Sequence, residues 1–349
     1  MRIISLKKSL LAFLVTVNFI PENSKACSRV VFTGEDGLVI TGRTMDWKED
    51  MKTNIYILPR GVERRGGITD NCVKWRSKYG SIIATGYDIG SPDGMNEKGL
   101  CANMLFLEES EYEKENENRP VLSISLWAQY VLDNFSTVKE AVEQLKKDEF
   151  YLHTGALPNG AVAKFHLSIS DATGNSAIIE YKNGNAIIYE GSQYNVLTNS
   201  PYYNDQLAIN NYWKEIGGLN MLPGTNRSSD RFARASFYID IIPKTSDERI
   251  GVAGVMSVIR NVSVPLGIST KDKPNISTTI WRTVSDQKNL KYYYESTLSP
   301  NVFWIDLKDI DFAKERKELT LPLTDGQIYA GNAFKDLKKS HGLKFLLLK

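Results

Sequence analysis

The stretch Cys27-Ser28-Arg29-Val30-Val31-Phe32-Thr33-Gly34-Glu35-Asp36-Gly37-Leu38-Val39-Ile40-Thr41-Gly42-Arg43-Thr44-Met45-Asp46-Trp47 holds two β-branched runs around a Gly-Glu-Asp-Gly turn. Arg29 to Thr33 and Leu38 to Arg43 therefore read as a β-hairpin. What precedes it makes its first residue unusual. Residues 1–26 carry Lys7 and Lys8, an apolar run from Leu10 to Ile20, a Pro21 break and Ser24-Lys25-Ala26, the three parts of a secretory signal ending in a small-x-small cleavage site. The apolar run is too short to span a bilayer. Cleavage after Ala26 would make Cys27 residue one of an exported chain, periplasmic or secreted, with a thiol and a free α-amine on the same residue. Bacterial lipid attachment also uses a Cys after a signal, but it wants Leu-small-small before that Cys, and Ser24 and Lys25 do not fit.

Composition narrows the classes. The mature chain of about 320 residues is long enough for one large domain or two small ones. Residues 27–349 hold no repeat, low-complexity tract or Pro/Gly-rich linker, which favours a single domain. Lys plus Arg number 43 against 41 Asp plus Glu, with no basic stripe interleaved with aromatics, so nucleic acid is not an expected partner. Nor is stable membrane insertion. Three cysteines in an exported protein is an odd count, leaving at least one free. Cys101 lies in the apolar run Leu100 to Leu107 and reads as a core thiol; a Cys72 to Cys101 bridge stays open.

Further along, Val162 to Ser170, Ser176 to Lys182 and Ala186 to Glu190 alternate as strands, with Asn183-Gly184 as a hairpin turn. Helical periodicity covers Ser123 to Asn134, Val138 to Lys147 (with Thr137 and Glu140 at capping-box spacing), Asp230 to Ile242 and Glu248 to Val262. Strands return at Thr278 to Val284, Lys291 to Ser296 and Val302 to Leu307. Strands, a helical block and strands again imply an α+β layered fold. Asn211 to Ser229, with two Gly-containing pairs, reads as a long loop.

Amide hydrolysis needs a nucleophile, a base, donors for the oxyanion and a proton for the leaving amine. An N-terminal Cys supplies the first two, since its α-amine has a pKa near about 7.7 to 8.0. The usual alternative is a Cys with a histidine, but the chain has only His153, His166 and His341. His166 alternates within a strand and reads as structural; the other two lie in polar surroundings. His-Glu-x-x-His, Cys-x-x-Cys and Gly-x-Ser-x-Gly are absent from the sequence, so no metal or cofactor is expected. A catalytic α-amine wants a carboxylate to hold it, and a nearby cation favours the thiolate. Arg43 and Asp46 close the second run of the hairpin, where they could return beside Cys27. Asn199, before Ser-Pro, reads on its own as a turn residue, and Arg231 as a first-turn helix charge.

Cys27-Ser28-Arg29 at a cleavage point, followed by Gly42-Arg43-Thr44-Met45-Asp46-Trp47, resembles the choloylglycine hydrolase family of N-terminal-nucleophile amidases, which includes bile salt hydrolases and penicillin V acylases. The resemblance continues through Gly94-Met95-Asn96-Glu97-Lys98-Gly99-Leu100, Val196-Leu197-Thr198-Asn199-Ser200-Pro201, Ser228-Ser229-Asp230-Arg231-Phe232, and Thr279-Ile280-Trp281 leading into Tyr292-Tyr293. It implies a four-layer αββα sandwich, commonly a homotetramer. Cys27 would be the nucleophile and its α-amine the base, with Asp46 bonded to that amine and Arg43 beside the thiol. Asn199 would give its side-chain amide to the oxyanion, and Arg231 would complete the polar cluster. Counting from Gly99-Leu100 puts Phe106 where Gram-positive members carry Asn or Tyr; its backbone N–H would serve the oxyanion. This departure, with Asn96 and the export signal, is more similar to the Gram-negative branch. The substrate implied first is a glycine- or taurine-conjugated bile salt; penicillin V and N-acyl homoserine lactones are the alternatives. An apolar acyl pocket is expected from Met45, Trp47, Ile82, Leu105 and Phe106.

Overall fold

In the first hairpin, β1 (Ala26–Thr33) pairs antiparallel with β2 (Val39–Trp47), and Asp36 and Gly37 take positive φ of 50° and 73° in the turn. The computed structural model describes residues 26–348 other than 117, 269–276, 300, 315 and 316. The expected signal segment lies outside the described residues apart from the backbone of Ala26.

β2 is buried along its whole length, polar residues included. The reason is its place in the stack. It lies inside a seven-stranded sheet ordered Val196–Leu197, β1, β2, Thr278–Asp286, Lys291–Ser296, Val302–Asp306 and Gly331–Asn332. The helices are α1 (Trp127–Asn134), α2 (Val138–Leu145), α3 (Tyr203–Ile216), α4 (Ser228–Ile241) and α5 (Glu248–Asn261), and one face of that sheet carries α4 and α5. The other face packs on a nine-stranded antiparallel sheet centred on Phe165–Ser170, Cys101–Phe106, Gly90–Asn96 and Ser81–Gly86, which is covered in turn by α1 and α2. The architecture is the αββα sandwich of the α+β class.

One core cluster joins the sheets and α4 and α5, with Val30, Phe32, Ile40, Ile82, Cys101 and Ile259 among its members. A second lies between the outer sheet and α1 and α2. Close approach explains Gly42: a Cβ there would stand 2.5 Å from Val255 Cγ1 and 2.9 Å from Ile259 Cγ2, so a bare backbone lets α5 settle on β2.

The expected turn chemistry is present. Asn183 and Gly184 both have positive φ, as a two-residue hairpin of the primed type requires. Thr137 caps α2 by accepting the Glu140 N–H at 3.2 Å, while the Glu140 carboxylate reaches back to Ser136. Three readings need correction. The loop expected from Asn211 begins inside α3, whose inward face is largely polar: Tyr203, Gln206 and Asn210 are its buried residues, so no apolar stripe marks it. The helix expected from Ser123 starts as a short 3₁₀ turn, Ile124–Leu126, before α1. The strands Ile55–Leu58, Ser81–Gly86 and Cys101–Phe106 had no counterpart in the sequence reading, because they are buried on both faces and lack polar alternation. Cys72 and Cys101 are free and belong to different clusters.

Candidate active site

The register of the hairpin sets Cys27 opposite Met45 and residue 26 opposite Asp46. Arg43 sits opposite Arg29, and its longer reach brings Nη2 to 3.8 Å from the Cys27 sulfur. The guanidinium is pinned there: Nη1 donates to the Pro92 carbonyl at 2.8 Å, Nη2 to the Met104 carbonyl at 2.7 Å, and Asp93 Oδ2 lies 3.5 Å away. Its carbon lies 5.1 Å from the centre of the Trp281 ring.

Asn199 and Arg231 arrive from distant elements. Strand Val196–Leu197 pairs with β1, Arg29 against Leu197, and delivers Asn199 just beyond its end. Cys27 N–H donates to Asn199 Oδ1 at 2.5 Å. Arg231, in the first turn of α4, donates through Nη1 to the Cys27 carbonyl at 2.6 Å and through Nη2 to Asn199 Oδ1 at 2.9 Å. Asn199 Nδ2 donates to the Phe106 carbonyl at 2.6 Å. These partners fix the amide orientation, since a flip would set donors against donors. The sequence-named residues Cys27, Arg43, Asp46, Asn199 and Arg231 are thus brought together, all buried.

Two details differ from expectation. The Cys27 nitrogen is held by Asn199 and not by Asp46. Asp46 Oδ1 accepts from Thr279 Oγ1 at 2.5 Å, but Oδ2 has no hydrogen-bond partner among the described residues and stands 3.9 Å from Arg231 Nη1. In the chain as described, Cys27 N is still a peptide nitrogen with one hydrogen, and Asn199 takes it. Phe106 contributes its carbonyl to Asn199, and its ring, not a polar group, to the pocket.

Burial dominates the electrostatics. It pushes the Cys27 thiol above its ordinary value, with the Arg43 guanidinium pulling the other way. It raises the Asp46 carboxyl to about 6 against the opposing charge of Arg231. Asp93 is likewise raised by burial and held down by Arg43. His166 does not serve the thiol: Nδ1 lies 3.0 Å from Glu180 and Nε2 lies 2.8 Å from the Thr198 carbonyl, so both ring nitrogens are occupied behind the Asn199 segment.

An apolar cavity opens at Cys27, lined by Met45, Trp47, Met104, Phe106 and Phe165 and by Leu346 and Leu348 from the far end of the chain; its free volume is about 60 Å³. Met45, Trp47 and Phe106 line it as expected. Ile82 and Leu105 do not; both are fully buried in the core. Strand alternation explains Leu105, since it turns away from the face that presents Met104 and Phe106. Sequence reasoning missed Asp93, and named Thr279 and Tyr292 as motif residues without a role; the Tyr292 hydroxyl donates to Asp93. Pro92 and Gly94 made the Asp93 strand look like a turn.

This arrangement can hold a sulfur nucleophile beside a cation, fix the nitrogen of the same residue, and present an apolar acyl pocket. Residues 27–321 match the model of the linear amide C-N hydrolases, choloylglycine hydrolase family. The chain is 45% identical to a penicillin V acylase of Pectobacterium atrosepticum, covering 92% of both chains. It superposes on the structure of penicillin V acylase from Agrobacterium tumefaciens with a TM-score of 0.87 and 53% identity, covering 92% of this chain and 100% of that one. A conjugated bile acid hydrolase variant from Clostridium perfringens shares the fold, with a TM-score of 0.74 and 24% identity over 85% of this chain and 97% of that one. With the family model spanning residues 27–321, the buried Cys27 among them, the chain belongs to the choloylglycine hydrolase family of linear amide C-N hydrolases.

Proposed function

We propose that the chain, processed to begin at Cys27, cleaves the amide of a compact aryl-bearing acyl group, as in penicillin V. The observation that carries the mechanism is Asp46 Oδ2, which has no hydrogen-bond partner among the described residues and is buried at the strand position opposite residue 26. A buried carboxylate oxygen without a donor is costly. Processing after Ala26 turns one peptide N–H into an amine with further hydrogens, which gives Oδ2 the partner it lacks.

In this reading the neutral α-amine takes the thiol proton and Arg43 supports the resulting thiolate. Sulfur attacks the acyl carbonyl. Asn199 Nδ2 carries two hydrogens, of which Phe106 uses one, leaving the second for the oxyanion together with the Phe106 backbone N–H. The α-ammonium returns its proton to the departing nitrogen, giving a thioester and a free amine. Water, deprotonated by the same amine, then releases the acid and restores the thiol. Arg231 holds the Cys27 carbonyl and the Asn199 oxygen, keeping nucleophile and oxyanion donor in register.

The sequence reading put conjugated bile salts first. The pocket is walled by the rings of Trp47, Phe106 and Phe165, which can stack on a flat aryl group. The 45% identity to a penicillin V acylase points the same way. Export to the periplasm or medium and assembly as a homotetramer belong to the same proposal. The test is hydrolysis of penicillin V, glycocholate and taurocholate by protein beginning at Cys27, with Cys27→Ala as control. Preference for penicillin V supports the reading; faster bile-salt cleavage overturns its acyl part, and silence on all three overturns the substrate assignment altogether.

A further inference from the structure

The segment 343–348 lies beyond residue 321, where the family match ends, yet it builds one wall of the pocket at Cys27. Among the described residues five hydrogen bonds seat it, the first from Leu343 N–H to Glu318 Oε2 at 2.6 Å. Leu346 N–H donates to the Ile89 carbonyl at 2.8 Å, and Ser125 Oγ donates to the Leu346 carbonyl at 2.6 Å. Leu348 N–H donates to Ser123 Oγ at 2.8 Å, and Ile68 N–H donates to the Leu348 carbonyl at 3.1 Å. Its side chains divide as those of an extended chain should. Leu346 and Leu348 face the cavity, while Phe345 packs under Arg64, 5.3 Å from ring centre to guanidinium carbon.

The body of the protein is shaped to receive this strap. A Cβ on Gly155 would stand 3.0 Å from Leu348 Cδ2, and one on Gly67 would stand 3.0 Å from the Leu348 carbonyl oxygen. Neither glycine has positive φ, so their need for a bare backbone comes from packing and not from conformation. The other walls are fixed differently. Met45, Trp47, Met104 and Phe106 project from strands of the two sheets and are buried, whereas Leu346 and Leu348 are only half-buried on a segment outside both sheets.

We propose that the strap formed by residues 343–348 is the specificity-determining wall of the site: Leu346 and Leu348 limit the length and bulk of the group that can reach Cys27, confining the enzyme to compact acyl groups. The identity of those groups rests on the acylase reading above; the restriction of access rests on the geometry alone. A longer or wider acyl group requires the strap to be displaced, and shortening its two leucines should admit such a group without touching the polar cluster.

The test separates the two claims by reading access without turnover. Protein beginning at Cys27 is alkylated with N-methylmaleimide and with N-(1-pyrenyl)maleimide, and modification of the N-terminal peptide is followed by mass spectrometry. The variants are L346A/L348A, a chain ending at residue 342, and S123A/S125A, which loosens the anchors while leaving both leucines in place. Because pocket selectivity for a single methylene already reaches about 10-fold or more, the bulky-to-small rate ratio should rise at least about tenfold in the first two variants and by less in the third. An unchanged ratio in folded L346A/L348A overturns the proposal. If the shortened chain loses its thermal transition, the side-chain variants decide. Penicillin V turnover is measured alongside: a ratio that rises in a protein that cleaves no amide sinks the acylase reading and spares the strap, and the converse sinks the strap alone.

Discussion

Replacing Arg43 by Leu separates what the guanidinium does for the thiol from what it does for the fold. Its Nη2 stands 3.8 Å from the nucleophilic sulfur. A charge pair about 4 Å apart interacts by about 4 kcal/mol at an effective dielectric of about 20. Neighbours at such range move a pKa by about 1–3 units. Arg43→Leu should therefore slow iodoacetamide alkylation of Cys27 by about 10- to 1,000-fold near neutral pH and move the alkylation midpoint upward by the same number of units. The substitution also strands Asp93, which is buried beside it, and removing one partner of a buried ion pair costs about 3–5 kcal/mol. The assay is alkylation rate against pH, paired with urea unfolding. Arg43→Leu with Asp93→Asn should regain most of the stability while the thiol stays slow. An alkylation midpoint that does not move in Arg43→Leu would refute the electrostatic reasoning, whatever the stability.

Asn199→Ala removes an oxyanion donor and should lower kcat for penicillin V by about 10²–10³-fold, with a smaller change in KM. In the chain that retains Ala26, Asp46 has its carboxyl raised to about 6 from an ordinary 3.8. A raised carboxyl adds stability below the unfolded value that is lost as pH rises through the folded one. Asp46→Asn should thus gain on the order of 3 kcal/mol relative to the unsubstituted chain between about pH 4 and pH 6.5, read by urea unfolding across that window. A flat difference would show that the carboxylate is not penalised. Gly42→Ala should destabilise by about 1–3 kcal/mol, because the new methyl meets Val255 and Ile259 and must push α5 off β2; denaturation midpoints measure it.

How much of this was visible in the sequence follows from how local each feature is. Cys27, Arg43 and Asp46 share one hairpin, so β-branched runs and a Gly-Glu-Asp-Gly turn sufficed to place them together. Asn199 and Arg231 reach Cys27 through a two-residue strand and a helix first turn, and nothing local distinguishes them from a turn residue and a surface charge; the family resemblance supplied them. Helix α5 announced itself through its apolar period, and the structure caps it with Asp247, which accepts from Arg249 and Ile250 N–H. Helix α3 did not, because Ile209, Tyr212 and Ile216 are exposed while Gln206 and Asn210 are buried. Asp93 stayed hidden because its charge is meaningful only once Asn103 stands opposite it and Arg43 arrives from the other sheet. Leu346 and Leu348 have no role legible in the sequence, since their use depends on a groove assembled from Ser123, Ser125 and Gly155.

The central claim is that the α-amine of Cys27 is the base. It is tested most directly by comparing penicillin V turnover in protein whose first residue is Cys27 with turnover in protein that retains Ala26 before it, each verified by intact mass. The account predicts turnover in the first and its loss in the second, although both keep the thiol, Arg43 and the pocket. Equal turnover in the two forms would contradict it.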